Sequence, residues 1–158
     1  GGEEGEEGEE GYESDPRAQL ARVLLAAGAS ADATDTEGRS AVWLAVRARQ
    51  GGLLAVLLAA GASPHTEGSG DAPPLWAACA TSDLGCALQL LRAGAAAAAC
   101  DGSETPCLCV AAQRGSLPMV QLLLSHSAPV GAADGNGNGA LLFAAHGGHM
   151  PLATLSCP

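Results

Sequence analysis

Six cysteines and four histidines are the side chains in this sequence with chemistry beyond packing. They are Cys79, Cys86, Cys100, Cys107, Cys109 and Cys157, with His65, His126, His146 and His149. A structural zinc needs four ligands closing a tetrahedron, which sequences usually supply as C-x-x-C pairs or paired histidines. No C-x-x-C occurs, and the "CLC" of Cys107 to Cys109 is poor zinc spacing. His146 and His149 stand three apart in "HGGH", a spacing that can bridge a metal. "DGNGNG" from Asp134 resembles an oxygen-rich calcium loop. It lacks the alternating carboxylates and the closing Glu, and reads as a glycine-rich turn. No H-E-x-x-H, no G-x-S-x-G and no phosphate-cradling loop is present. The expectation is no metal, no cofactor and no catalytic residue. Cys79, Cys86 and Cys109 are read as small buried hydrophobes at packing positions of helices.

Charge narrows the partners. The net charge is −10 over 158 residues, but it is unevenly placed. Residues 1–15 hold eight acids and no base, in a "GGEEGEEGEEG" tract. Like charges and glycine oppose collapse, so this segment is expected to be a disordered, solvating tail. The rest is close to neutral and contains no lysine, only seven arginines. Nucleic acid is not an expected partner, because phosphate binding needs clustered cations. The longest apolar run, near Gly52 to Ser63, is about a dozen residues, short of the roughly 20 that span a bilayer. No secretory leader is visible, and free cysteines suit a reducing compartment, so cytoplasm or nucleus is expected. The chain carries no initiator Met and is expected to be a piece of a longer protein.

The elements that organise these residues repeat. "VLLAAGAS" begins at Val23 and again at Val56. The Gly-Ala pair falls at Gly28, Gly61 and Gly94, and the next step of 33 residues lands on Ser127. Each pair follows an aliphatic run, as a glycine helix stop does. A second signal runs in phase: "SAVWLAV" from Ser40, "PPLWAAC" from Pro73, "PCLCVAA" from Pro106 and "GALLFAA" from Gly139. Turn-rich segments, "DTEGR", "GSGDA", "DGSET" and "DGNGN", separate them. Each unit therefore reads turn, short helix, bend, second helix, stop.

This pattern resembles the ankyrin repeat family. "DTEGRSAVWLAV", "AAQRGSLPMVQLLLSHSAPV" and "AAHGGHMPL" carry the likeness, which covers about residues 16–158. It implies an all-α fold, an ankyrin-type helix-turn-helix solenoid with 33-residue repeats. The organisation expected is a tail at 1–15, a partial unit at 16–34, units at 35–67, 68–100 and 101–133, and a truncated unit at 134–158. The family's T-P-L-H is degraded throughout. "TPCL" at Thr105 to Leu108 comes nearest, one residue out of phase. Trp43, Trp76, Cys109 and Leu142 replace the His that ties neighbouring turns in the family, and that tie is expected to be lost. The "AAAAA" of Ala95 to Ala99 is expected to leave its junction loosely ordered.

The resemblance implies a binding device: a monomeric, non-catalytic scaffold holding a protein partner in a groove lined by turn tips and first helices. The positions that vary between units are the candidate contacts. They are Thr36, Glu37, Arg39, Arg47, Ser69, Thr81, Ser103, Thr105, Gln113, Arg114, Asn136, Asn138 and His146. Arg39, Arg47, Gln113 and Arg114 stand out, since long polar side chains can meet a partner's carboxylates. Trp43 and Trp76 are either seam packing in place of the family's His or aromatic anchors for a partner. The rival reading is a regulatory or structural segment of a larger enzyme or multidomain protein, with no partner of its own.

Overall fold

The chain's computed structural model describes residues 15–65 and 72–148. The acidic tract, Ser69, His149 and Cys157 lie outside the described residues. Eight helices occupy the described part: α1 (Pro16–Ala26), α2 (Ala41–Arg47), α3 (Gly51–Ala59), α4 (Pro74–Thr81), α5 (Leu84–Arg92), α6 (Cys107–Gln113), α7 (Leu117–Ser125) and α8 (Ala140–His146). None exceeds 11 residues. Helices this short are marginal alone in water and persist through their neighbours.

They form two layers. One stacks α2, α4, α6 and α8 in order, and the other stacks α1, α3, α5 and α7. Within a unit, α2 packs on α3, α4 on α5 and α6 on α7. Small residues set the distance between the stacked first helices. Ala45, Ala78, Ala111 and Ala144 are at most 1% exposed, at corresponding positions of the four helices. The second layer contributes Leu57, Leu90 and Leu123, also at matching positions and buried. At the end of the stack, α1 presents Leu20, Val23 and Leu24 on an exposed face.

Every helix of the second layer ends in the same way. After α1, the N–H of Gly28 donates to Leu25 O and that of Ala29 to Leu24 O, both at 3.0 Å. Gly61 and Ala62, Gly94 and Ala95, and Ser127 and Ala128 repeat this doubled pattern. It satisfies two of the carbonyls a helix end leaves open, and it needs a left-handed residue at its turning point. The turning residues indeed have φ of 96°, 88°, 97° and 64°. The alanine that follows is buried after α3, α5 and α7, which explains why the sequence writes Gly-Ala rather than glycine alone. The bend between the two helices of a unit uses the same device at Arg49, Ser82 and Gly115, all at positive φ.

The turns ahead of the first helices are closed by aspartate. Asp35 Oδ1 accepts the N–H of Glu37 and of Arg39, Asp101 Oδ1 those of Ser103 and Thr105, and Asp134 Oδ1 those of Asn136 and Asn138. Single antiparallel bridges complete the turns: Thr34 with Ser40, Cys100 with Pro106, and Ala133 with Gly139. The "DGNGNG" stretch is thus a turn of the same make as its counterparts. The expectation of a loose alanine junction is corrected here. Ala95 and Ala97 are buried, and Cys107 N donates to Ala99 O at 2.9 Å. Alanine suffices because the junction is held by backbone hydrogen bonds and by packing rather than by polar side chains.

The helix stop yields a paired stability prediction. Ser127→Gly removes the steric cost of a Cβ at φ 64° and stabilises the protein by up to about 1 kcal/mol. Gly61→Ala meets no atom within 4 Å, so its cost of about 1 kcal/mol or more comes from the backbone at φ +88°. Urea unfolding of the two variants measures both; a neutral Gly61→Ala contradicts the assignment.

Candidate binding surface

The seam between neighbouring units is the first thing the site is built on. Trp43 stands in α2 and is 8% exposed, and its Nε1–H donates across the seam to Ala72 O at 2.8 Å. Trp76 does the same from α4 to Thr105 O at 3.0 Å. Cys109 of α6 points its Sγ at Asn138 O and Ala132 O, at 3.9 and 3.7 Å. The expected loss of the turn-to-turn tie is therefore corrected. An indole N–H is a donor like the imidazole it replaces, and the bulkier ring reaches the next turn's carbonyl. The thiol at the third position makes the tie only weakly.

The tryptophans serve both seam and surface. Trp43, Arg47, Ala72, Trp76, Ala77, Ala80, Thr81 and Arg114 line one open cavity of about 450 Å³. Its floor is apolar because its polar atoms are already used. Both indole N–H groups are spent across the seam, and Thr81 Oγ1 donates back to Ala77 O at 3.0 Å. Its edge is cationic. Arg47 ends α2 and lies over the Trp43 ring, 5.0 Å from the centroid. Arg114 caps the end of α6 and is exposed. A second cavity of about 400 Å³ is lined by Gln113, Asp134, Asn138, Leu142, Phe143, His146 and Gly147.

The sequence-derived candidates thus divide. Arg47, Thr81 and Arg114 meet in the first cavity, and Gln113, Asn138 and His146 in the second. Thr36, Glu37, Ser103 and Asn136 sit exposed on the turns. Some candidates are tied up internally. Arg39 pairs with Asp35 at 2.8 Å and Glu37 at 2.6 Å, and leans over Trp43 at 5.9 Å. Thr105 lends its carbonyl to Trp76 and its N–H to Asp101. Asn138 Nδ2 donates to Asp134 Oδ2 at 3.0 Å. Ala72, Ala77, Leu142 and Phe143 were missed as lining residues. The apolar letters at those points look like core, and only the Trp43–Trp76 spacing hinted at a surface there.

Three buried thiols, Cys86, Cys107 and Cys109, are held in the protonated form, whereas Cys100 is exposed. Burial first, and the Asp83 charge second, push Cys86 up to about 12. Burial and Asp134 push Cys109 up to about 11. The hydrogen bond with Cys79, helped by burial, raises Cys107 as well. A thiol held protonated is a poor nucleophile and a poor ligand. Among the described residues no group of three or more His, Cys, Asp or Glu gathers as a metal would require. No described helix is long and apolar enough to cross a membrane.

Residues 108–155 match the family model described as ankyrin repeats (many copies). No curated protein matches the chain.

The seam bonds and the turn carboxylates each predict a measurement. Trp43→Phe keeps the ring but strands Ala72 O, and costs about 1 to 2 kcal/mol in urea unfolding. Trp76→Phe costs less, because that ring is more exposed and water can reach the freed carbonyl. The Arg39 N–H, then the Arg39 side chain, hold Asp35 below the usual carboxylate range; the Asn138 side chain and N–H do so for Asp134. A lowered folded value means the contribution is complete above the unfolded value, about 3.9, and is lost as pH falls through the folded one. The double variant Asp35→Asn, Asp134→Asn therefore unfolds with a shallower dependence on acid below about pH 4, read by circular dichroism. An unchanged acid limb contradicts it.

Proposed function

We propose that this stack of ankyrin repeats is a non-catalytic scaffold that holds a partner protein along the face of its first helices and turns. Ankyrin repeats are generally protein-interaction motifs. The observation that carries the reading is the cavity between Trp43 and Arg114. It spans α2, α4 and α6, opens to solvent, and joins an aromatic floor to two arginines. Among the described residues neither Arg47 nor Arg114 makes an ion pair. Trp and Arg are the residue types that dominate binding energy at interfaces.

The units behind this scaffold are read as 35–67, 68–100 and 101–133, with partial units at 16–34 and 134–158 and the acidic tract at 1–15 as a solvating tail. Thr36, Glu37, Ser103 and Asn136 serve as the turn-tip contacts, with Gln113 and His146 further along the same face. Arg39 is assigned to holding its turn rather than to the partner, because both of its neighbouring carboxylates already engage it. The module works as a monomer, without nucleic acid. Five free cysteines among the described residues suit a reducing compartment, cytoplasm or nucleus.

Charge reversal tests the reading. Arg47→Glu with Arg114→Glu abolishes capture of the partner in a pull-down, while the helical circular dichroism and the urea midpoint stay within about 0.5 kcal/mol of the parent, as exposed substitutions do. Arg39→Glu does the opposite: it loosens its turn and lowers the midpoint. Equal capture by the parent and the double variant removes this face from the function.

A further inference from the structure

We propose that the cavity between Trp43 and Arg114 selects an acidic segment of its partner: two carboxylates flanking an apolar residue, in extended chain. This rests on the scaffold reading above and adds the chemistry of the partner.

Hydrogen-bond donors on the cavity floor are committed elsewhere: Trp43 Nε1 to Ala72 O, Trp76 Nε1 to Thr105 O, and Thr81 Oγ1 to Ala77 O. What the floor offers a ligand is ring faces and the methyl groups of alanine. Such a surface gains by covering itself with an aliphatic or aromatic side chain and gives a buried polar group nothing to bond. The edge is different. No carboxylate lines the cavity, and its two charged residues are both arginines. The neighbouring cations are neutralised by contrast, Arg39 by Asp35 and Glu37 and Arg49 by Asp83 at 3.5 Å. The uncompensated charge at this spot is therefore positive, in a chain whose overall charge is −10.

Arg47 is also prepared for its role. Its guanidinium lies over the Trp43 ring at 5.0 Å from the centroid and makes no ion pair among the described residues, and a guanidinium can receive a carboxylate through two parallel hydrogen bonds. The separation of the arginines sets the ligand's spacing. Arg47 ends α2 and Arg114 follows α6, with α4 between them. Two helix steps of about 8–10 Å place the two anchor points roughly 16–20 Å apart. An extended chain covers that span in about five or six residues. The side chain midway then falls over Trp76, Ala77 and Ala80. The match is a Glu or Asp, an apolar residue two or four positions on, and a second acid six positions from the first, all on one face of the extended chain. The chain's own residues 1–14 hold seven Glu but no aliphatic side chain, so they match the edge and not the floor.

The test uses the two tryptophans, the only ones in the chain, as reporters. The whole 158-residue protein is titrated with a blocked peptide carrying two glutamates six positions apart, with a leucine four positions after the first, so that all three share one face of an extended chain. Three controls accompany it: lysines for the glutamates, serine for the leucine, and a chain lacking residues 1–14. The expected result is a saturable change in tryptophan fluorescence with the glutamate–leucine peptide, weakened by salt. The serine peptide binds several-fold more weakly, and the lysine peptide gives no change. Arg47→Gln and Arg114→Gln each weaken binding about tenfold, the loss expected for one charge-assisted contact. Arg47→Lys, which keeps the charge and loses the fork, falls between. Equal binding of the glutamate and lysine peptides, or arginine variants that bind like the parent, overturns the acidic selection and leaves the scaffold reading standing on its own pull-down. Binding that appears only once residues 1–14 are removed assigns the cavity to the chain's own acidic tract and equally overturns the proposal.

Discussion

Close approach between the stacked first helices governs this molecule. Ala45, Ala78, Ala111 and Ala144 lie at corresponding points of α2, α4, α6 and α8, and none is more than 1% exposed. A larger side chain there would push the helices apart, and interiors packed this densely tolerate little extra volume. The spacing has consequences well beyond the core. Only when α2 and α4 sit this close does each unit's turn come level with the first helix of the unit before. Only then can an indole N–H reach 2.8 Å from the next turn's carbonyl. The seam bonds follow from the alanines, and the cavity follows from the seam bonds, because those bonds fix the faces that the two tryptophans show to solvent.

Local chain reversal is the second constraint, and it is met twice in each unit. The reversal after a second helix uses Gly28, Gly61, Gly94 or Ser127; the bend inside a unit uses Arg49, Ser82 or Gly115. Non-glycine residues at positive φ carry some backbone strain. The stack can hold them because the hydrogen bonds on either side close in the same pattern at every position. Stability in such an array is shared between neighbours, so a strained residue in one unit is carried by the packing of the next. The face that carries Arg47 and Arg114 inherits this rigidity. Arg47 and Arg114 both leave the scaffold at helix ends whose geometry the bends have fixed. A binding site placed on such ends loses little freedom when a ligand arrives.

The turns show how one carboxylate organises a loop without any metal-binding geometry. Asp35, Asp101 and Asp134 each collect two backbone N–H groups of their own turn. What distinguishes the three is the residue four positions on. Arg39 answers Asp35 with an ion pair, Thr105 offers its carbonyl to Trp76, and Asn138 donates its amide to Asp134. Several positions that vary between units are thus spent on holding their own turns, which removes them from the pool of free contacts.

The architecture was legible in the sequence because it rests on local rules. A left-handed stop needs glycine or tolerates serine, a helix start needs a capping group, and an aliphatic face needs its period; each leaves letters at fixed spacing. The likeness to ankyrin repeats, the positive φ at Ser127 and the burial of the helix cysteines all followed from such letters. The alanine junction was misjudged because backbone hydrogen bonds and burial leave no mark on the side chains that a sequence displays. The tie between turns was misjudged for a related reason: replacing His by Trp reads as the loss of a bond, although the indole keeps a donor, and only the packed distance between helices decides that it reaches Ala72 O. The candidate site divided along the same line. The sequence marked which residues vary, while the tertiary structure decided which of them are occupied. Arg39 and Arg47 are the same residue type eight positions apart and both lie over the Trp43 ring, yet one is held by two carboxylates and the other pairs with none among the described residues. Which partner a charged side chain meets depends on what folding brings within a few ångströms of it, and that information resides in the arrangement of the helices.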